Sequence, residues 1–326
     1  MTPRVAVVVS CYNLGEYLHE AVDSVLAQTL EAVEIVVVDD GSDDPATRRV
    51  LDAFDRPRTR VLRTENRGLA AAKNTGFAAT TAPFLCALDA DDRLAPAMLE
   101  RSVARLEADP GLAFVSHWLR TFGEEEADWQ PADCGLPALL DMNTVNGAAL
   151  VRRSAFEQVG GYDESFRDGC EDWDFWITLV SRGLGGAILP EVLFYYRRRA
   201  DSMSRRMTRD AGHARLYSRL ADKHADVFRA HVAALVARRE RDLAAVLLHT
   251  HDLELEHERI LRLQVARRRD DLAAAEELLG QDGSSPPRNE ALRQARAEVA
   301  ALRSSLSWRL TAPLRRTLDL IRGWTG

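Results

Sequence analysis

The chain has 326 residues, 46% of them apolar, enough for one large or two modest domains with a substantial core. Its formal charge is -7, from 50 acidic and 43 basic side chains, so it is not expected to bind nucleic acid. No run nears the ~20 apolar residues of a membrane span, no signal peptide is expected, and Cys11, Cys86, Cys134 and Cys170 lie too far apart for a disulfide framework or a zinc knuckle, as in a cytosolic protein.

Residues 5–10 form a continuous β-branched run that predicts a buried strand ending in Cys11, Tyr12 and Asn13. Apolar residues at Leu14, Leu18, Ala21, Val22, Val25 and Leu26 then have helical spacing over 14–29. A second strand, 33–38, runs into Asp39-Asp40-Gly41-Ser42-Asp43-Asp44. A short helix over 48–54, a third strand over 60–63, a turn at 66–68 and an Ala-rich helix over 69–79 follow. The next strand, 84–88, ends in Asp89-Ala90-Asp91-Asp92. Alternating strands and helices predict a doubly wound parallel sheet with right-handed crossovers.

Beyond it the pattern predicts a helix over 97–108, a strand over 112–118, an irregular surface loop over 121–137 and a strand over 146–151. A helix over 153–159 ends at Gly160-Gly161, and another spans 171–182. Two short strands, 187–189 and 192–196, precede a basic loop at 197–206. From about Asp210 the strand signals vanish and Ala, Leu, Arg and Glu dominate. Val246, Leu253 and Ile260 recur every seven residues until Arg267 breaks the series, which suggests a short coiled coil or a helical hairpin and a route to a homo-oligomer. Four segments follow: a catalytic domain at 1–210, a helical extension at 211–280, a linker at 281–288 and a helical tail at 289–326.

The first strands of a parallel sheet end on one edge, where open α/β sheets bind ligands. Four polar clusters converge there: Ser10 to Asn13, Asp39 to Asp44, Asn66 to Asn74 and Asp89 to Asp92. Neither GxGxxG nor GxxxxGK[ST] is present, which argues against dinucleotide and P-loop chemistry. Asp39 and Asp40 suit a ribose hydroxyl or a base N–H. Three carboxylates within four residues repel one another unless a cation relieves them, so Asp89 to Asp92 reads either as a divalent-metal site or as the cap of the next helix.

The segments VVVSCYNLGEYLHEAVDSVLAQTL, EIVVVDDGSDD, NRGLAAAKNTG, LDADD, VGGYDESF and EDWDFWITL occur in the order seen in glycosyltransferase family 2, which residues 5–204 resemble. The resemblance implies the GT-A fold: a Rossmann-like, mostly parallel sheet flanked by helices, here followed by an all-α extension. It implies an inverting transfer from a nucleotide-diphosphate sugar, usually a UDP-sugar, to a hydroxyl of a glycan or lipid-linked glycan in cell-surface polysaccharide synthesis. Tyr12, Asp40 and Lys73 would lie around the nucleotide, with Ser10, Asn13, Asp39 and Asn66 in the same pocket. Asp89 and Asp91 match the DxD motif; they would hold Mn²⁺ or Mg²⁺ against the diphosphate, with Asp92 close by.

By the same resemblance Asp172 is the catalytic base and Glu171 orients the acceptor or the metal shell. Both open a helix, where anions are stabilised. Trp173, Trp176, Ile177 and Val180 form the stripe that would anchor that helix, although Trp173 is also a candidate to stack on an acceptor sugar. Where the family often has His in the loop that closes over the diphosphate, this chain has Arg199, a fork of donors suited to phosphate. The remaining histidines, His224 among them, read as surface residues.

The C-terminal segment SLSWRLTAPLRRTLDLIRGW resembles the tails of bacterial polysaccharide glycosyltransferases. Leu314, Leu318 and Ile321 share a helical face bracketed by Trp308 and Trp324. Such a helix either lies in the inner face of the plasma membrane or packs on protein. The competing expectation is a degenerate family member that acts as a scaffold through its helical tail.

Overall fold

The computed structural model describes residues 2–203 and 212–280. Its N-terminal strands are β1 (Val5–Cys11), β2 (Val33–Asp39), β3 (Thr59–Arg63) and β4 (Phe84–Asp89), paired in parallel in the order β3-β2-β1-β4. Between them run α1 (Gly15–Leu26), α2 (Pro45–Asp52) and α3 (Leu69–Ala78). This half has the doubly wound form read from the alternation.

The second half of the sheet is mixed. It contains β5 (Arg93–Leu94), β6 (Phe114–Gly123), β7 (Asp128–Trp129), β8 (Leu150–Arg152) and β9 (Gly186–Arg198), with β8, β6, β9 and β5 continuing outward from β4. Here β6 and β9 are parallel, whereas β4–β8, β6–β8, β5–β9 and β6–β7 are antiparallel. Helices α4 (Met98–Ala108), α5 (Leu136–Asp141), α6 (Arg153–Val159) and α7 (Glu171–Ser181) cover it. The predicted loop over 121–137 holds the end of β6, all of β7 and the start of α5. The two expected strands at 187–196 are one long strand, β9, paired along its length with β6.

The period-2 alternation of β1 builds both cores. Val5, Val7 and Val9 face Leu18, Val22 and Val25 of α1 and Met98, Val103 and Leu106 of α4. Ala6 and Val8 face Ala70, Ala72 and Phe77 of α3 and, farther along that layer, Phe175, Trp176 and Leu179 of α7. Register sets the ligand edge: Ser10 pairs with Asp89, and Cys11 with Asp39. Helix α2 starts earlier than its apolar pattern suggests, because the Asp44 carboxylate caps it by accepting from the Thr47 backbone N–H (2.7 Å) and Oγ1 (2.8 Å). All four cysteines are free thiols, three of them buried.

By its own contacts the chain divides into Met1–Val236 and Ala237–Gly326. The first unit includes α8 (Gly212–Lys223) and the start of α9 (Ala225–Gly280); Leu216, Leu220 and Leu235 are buried there. In the second, α9 is unbroken to Gly280, and Val246 and Leu253 of the expected seven-residue series are exposed. The linker at 281–288 and the tail at 289–326 lie outside the described residues. No helix among the described residues is long and apolar enough to cross a membrane.

Helix α3 approaches β1 closely at Gly76, where a Cβ would sit 2.3 Å from Val8 Cγ1 and 2.7 Å from its Cγ2. Overpacking a buried contact costs ~1–3 kcal/mol, against ~1 kcal/mol that alanine gains over glycine within a helix. Gly76→Ala is therefore expected to lower stability in urea by up to about 2 kcal/mol, and adding Val8→Ala should relieve the clash without restoring full stability.

Candidate active site

The four strand-end clusters meet at one edge, and each reaches it through local chemistry. Asn13 has φ 57, and its Oδ1 accepts from the Asp43 (3.0 Å) and Asp44 (2.9 Å) backbone N–H groups. Asp39 Oδ1 accepts from Ser42 N–H at 2.9 Å. The buried Asp40 carboxylate accepts from the backbone N–H groups of Arg67 (2.9 Å) and Gly68 (2.8 Å), fixing the turn that leads into α3. Asn66 and Tyr12 are exposed at this edge; Tyr12 is an aromatic surface 43% open to solvent.

Lys73 lies deeper than its expected place around the nucleotide. It is 2% exposed; its Nζ donates to Glu171 Oε1 at 2.8 Å and stands 3.9 Å from Asp89 Oδ1. Burial alone would lower its pKa, but Glu171 and Asp89 outweigh that and hold it well above the ordinary value. Glu171, also buried, thus faces Lys73.

Burial pushes Asp89 up to about 6; Lys73 opposes this, while Asp91 and Glu171 add to it. About a third of its side chain faces the cleft, yet Oδ1 is shut off from solvent and has no hydrogen-bond partner. Ser10 Oγ, on the register-paired residue, is also buried without a partner. Asp91 Oδ2 accepts from Arg199 Nε at 2.9 Å. Asp92, buried and pushed well up by burial and by Asp91 and Asp89, accepts from the Arg197 backbone N–H at 2.8 Å. Its role is to tie the end of β9 to the acidic turn.

The part of Asp89 that faces the cleft, beside the Asp91 carboxylate and the Ser10 oxygen that has no hydrogen bond, fits a hard divalent cation completed by phosphate and water. These groups do not form an all-protein cage: among the described residues no group of three or more His, Cys, Asp or Glu side chains has that geometry.

Opposite stands α7, entered through Cys170 in the left-handed conformation (φ 63). Asp172 is half-buried; its Oδ1 accepts from Trp173 N–H (2.7 Å) and its Oδ2 from Asn143 Nδ2 (3.2 Å). Burial, reinforced by Glu171 and opposed by Lys73, pushes its pKa up to about 7. The stacking role considered for Trp173 is corrected: the ring is 4% exposed and Nε1 donates to Leu139 O at 2.6 Å, so it is a core residue.

Behind α7 the buried Asp174 receives Lys223 Nζ at 2.8 Å, and His224 Nε2 lies 2.8 Å from its other oxygen. His224 is therefore buried, against the surface reading. These residues line a cavity of about 400 Å³ with Tyr162, Asp163 and Arg182; Lys223 pairs with Asp163 and Asp174, His224 lies against Asp174, and Arg182 donates to the Gln158 carbonyl. No local pattern marks Asn143, Lys223 or His224 as partners of α7. Only Asp174, inside the EDWD run, carried a signal.

A family model described as Glycosyl transferase family 2 matches residues 6–160, and one described as Glycosyltransferase like family 2 matches 135–259. The succinoglycan biosynthesis protein ExoO of Rhizobium meliloti is 29% identical over 333 residues, covering 96% of this chain and 87% of its own. An uncharacterized glycosyltransferase of Haemophilus influenzae is 30% identical over 201 residues, 59% of this chain and 74% of its own. Among solved structures, S. aureus TarS 1-349 in complex with UDP-GlcNAc superimposes with a TM-score of 0.53 at 18% identity, over 63% of this chain and 61% of that one; the likeness is one of fold.

Breaking a buried ion pair by removing one partner costs ~3–5 kcal/mol, because the other charge stays buried and uncompensated. Lys73→Met is expected to lose stability on that scale in denaturant unfolding. Lys73→Met with Glu171→Gln should recover a large part of it, and a double variant no more stable than the single would contradict the pairing.

Proposed function

The chain belongs to glycosyltransferase family 2, and from that premise we propose that it moves a sugar from a UDP-type nucleotide sugar to a hydroxyl of a glycan or lipid-linked glycan in polysaccharide synthesis. The relation to ExoO supports the polysaccharide context, and the fold shared with TarS, solved with UDP-GlcNAc, supports the donor class. The observation that carries the reading is the opposition of two carboxylate sets across one cleft edge. Asp89 and Asp91 stand at the end of β4, Glu171 and Asp172 at the start of α7, and Lys73 lies between Glu171 and Asp89.

Asp172 accepts the proton of the attacking hydroxyl as that oxygen bonds to the anomeric carbon and the bond to the departing diphosphate breaks. One displacement inverts the anomeric configuration. A base with a pKa near 7 is matched to a hydroxyl proton at neutral pH. Asn143 holds the Asp172 carboxylate in place, and Glu171 neutralises Lys73, so the base keeps its proton affinity. Asp91 and Asp89 would hold Mn²⁺ or Mg²⁺, which when bound offsets the negative charge that builds on the diphosphate. Tyr12 offers an exposed ring for the base, and Asp39 and Asp40 shape the loops around the nucleoside.

Asp172→Asn is expected to lower turnover of a UDP-sugar about 10²–10⁴-fold while UDP still raises the melting temperature, since donor binding does not need the base. A base must be ionised to act, and folding raises this one, so kcat/KM should climb as pH rises through about 7. An acid limb in the ordinary carboxylate range, near pH 4, would remove Asp172 from the role.

A further inference from the structure

The end of β9 is fastened to the acidic turn by Arg197 and Arg199, whose side chains are 15% and 18% exposed and both lie over the Tyr17 ring, Arg199 at 5.4 Å. Arg197 donates its backbone N–H to Asp92 Oδ1 (2.8 Å) and its Nε to the Asp91 carbonyl (2.8 Å), and its guanidinium also pairs with Glu20. Its guanidinium lies 4.6 Å from the Tyr17 ring and 4.3 Å from Phe122. It is thus held on several sides.

Arg199, one residue past the strand, donates Nε to Asp91 Oδ2 at 2.9 Å; its Nη1 reaches Asp201 at 3.1 Å, and Asp201 is 77% exposed. Asp91 is 12% exposed, so of these two ion pairs only the one with Asp91 is shielded from water. That is the carboxylate on which the cation reading above depends.

The Arg199 N–H competes with a metal ion for Asp91 Oδ2, and its fixed positive charge beside the carboxylate repels a second cation. A diphosphate changes both terms. It offers oxygens to the guanidinium fork, which binds phosphate in two-point fashion, and its negative charge lies between the two cations. We propose that Arg199 is a latch: in the donor-free protein it occupies Asp91 and holds off the divalent cation, and the donor diphosphate draws it away, freeing Asp91 for the metal. Cation and diphosphate then bind with strong positive coupling, and the protein does not load metal ahead of its donor. The latch rests on the reading of Asp89 and Asp91 as cation ligands. Arg197 keeps the turn in place while Arg199 moves.

The test is equilibrium binding by the full-length protein without turnover. Mn²⁺ affinity is measured by electron paramagnetic resonance of the free ion, and UDP affinity by calorimetry with and without Mn²⁺, for wild type, Arg199→Ala and Arg199→Lys. The donor-free Arg199→Ala protein should bind Mn²⁺ at least tenfold more tightly than wild type. Its UDP affinity should be weaker, and the factor by which Mn²⁺ improves UDP binding should fall by a similar amount, because coupling is reciprocal. Arg199→Lys keeps the charge without the fork, so its donor-free Mn²⁺ affinity should stay near wild type while UDP binding weakens. Equal donor-free Mn²⁺ affinity and equal coupling in wild type and Arg199→Ala overturn the latch and leave the cation site standing. Absence of protein-bound Mn²⁺ in every variant, with UDP or without, overturns the cation reading and the latch with it.

Discussion

The buried Lys73 ammonium is the constraint on which the site depends. It comes from α3, in the parallel half of the sheet, and meets Glu171 from α7, in the mixed half, with Asp89 of β4 at longer range. A buried charge is tolerated only when paired. Lys73 therefore holds the acidic strand end and the start of α7 to one spacing, and neither can move without leaving a charge uncompensated. Its positive charge also limits how far the crowded carboxylates raise one another, since it opposes the upward shifts of both Asp89 and Asp172.

Helix α7 is secured on its other side by different means. Asp174 points away from the cleft and is met there by Lys223, at the end of α8, and by His224 just beyond it. Trp173, Trp176 and Ile177 fill the space between with apolar contact. The first helix of the C-terminal region thus belongs to the same compact body as α7, which runs to Val236. Helix α7 is held from the front by charge and from the back by packing and a second charge pair.

On the opposite wall the acidic turn divides its three carboxylates by environment. Asp89 keeps an oxygen without a hydrogen bond, 3.9 Å from Lys73, Asp91 meets the Arg199 side chain, and Asp92 accepts from the backbone of β9. One short motif therefore puts its carboxylates to different structural uses. The same division holds elsewhere at the edge. Asp40 and Asn13 spend hydrogen-bonding capacity on shaping their own loops, whereas Tyr12 stays open.

The parallel half and its ligand edge were legible in the chain, because strand alternation, helix periodicity and polar strand ends are local patterns. The buried runs of β1, β2 and β4 appear almost residue for residue, and parallel register brings Ser10 level with Asp89 and places Asp39 one residue on, beside Cys11. The mixed half was less legible: β6 passes through a polar stretch, and β9 is one strand only because β6 pairs with its whole length. Side-chain roles at the site depended on neighbours distant in sequence. Trp173 became a core residue because α5 offers the Leu139 carbonyl, and His224 was drawn inside because Asp174 needed a partner. Asp92 found its role when β9 ended beside it, and Arg199 reached Asp91 across 108 positions of chain. Burial and charge pairing are properties of the folded neighbourhood, and a linear pattern records which groups are present but not which of them will meet.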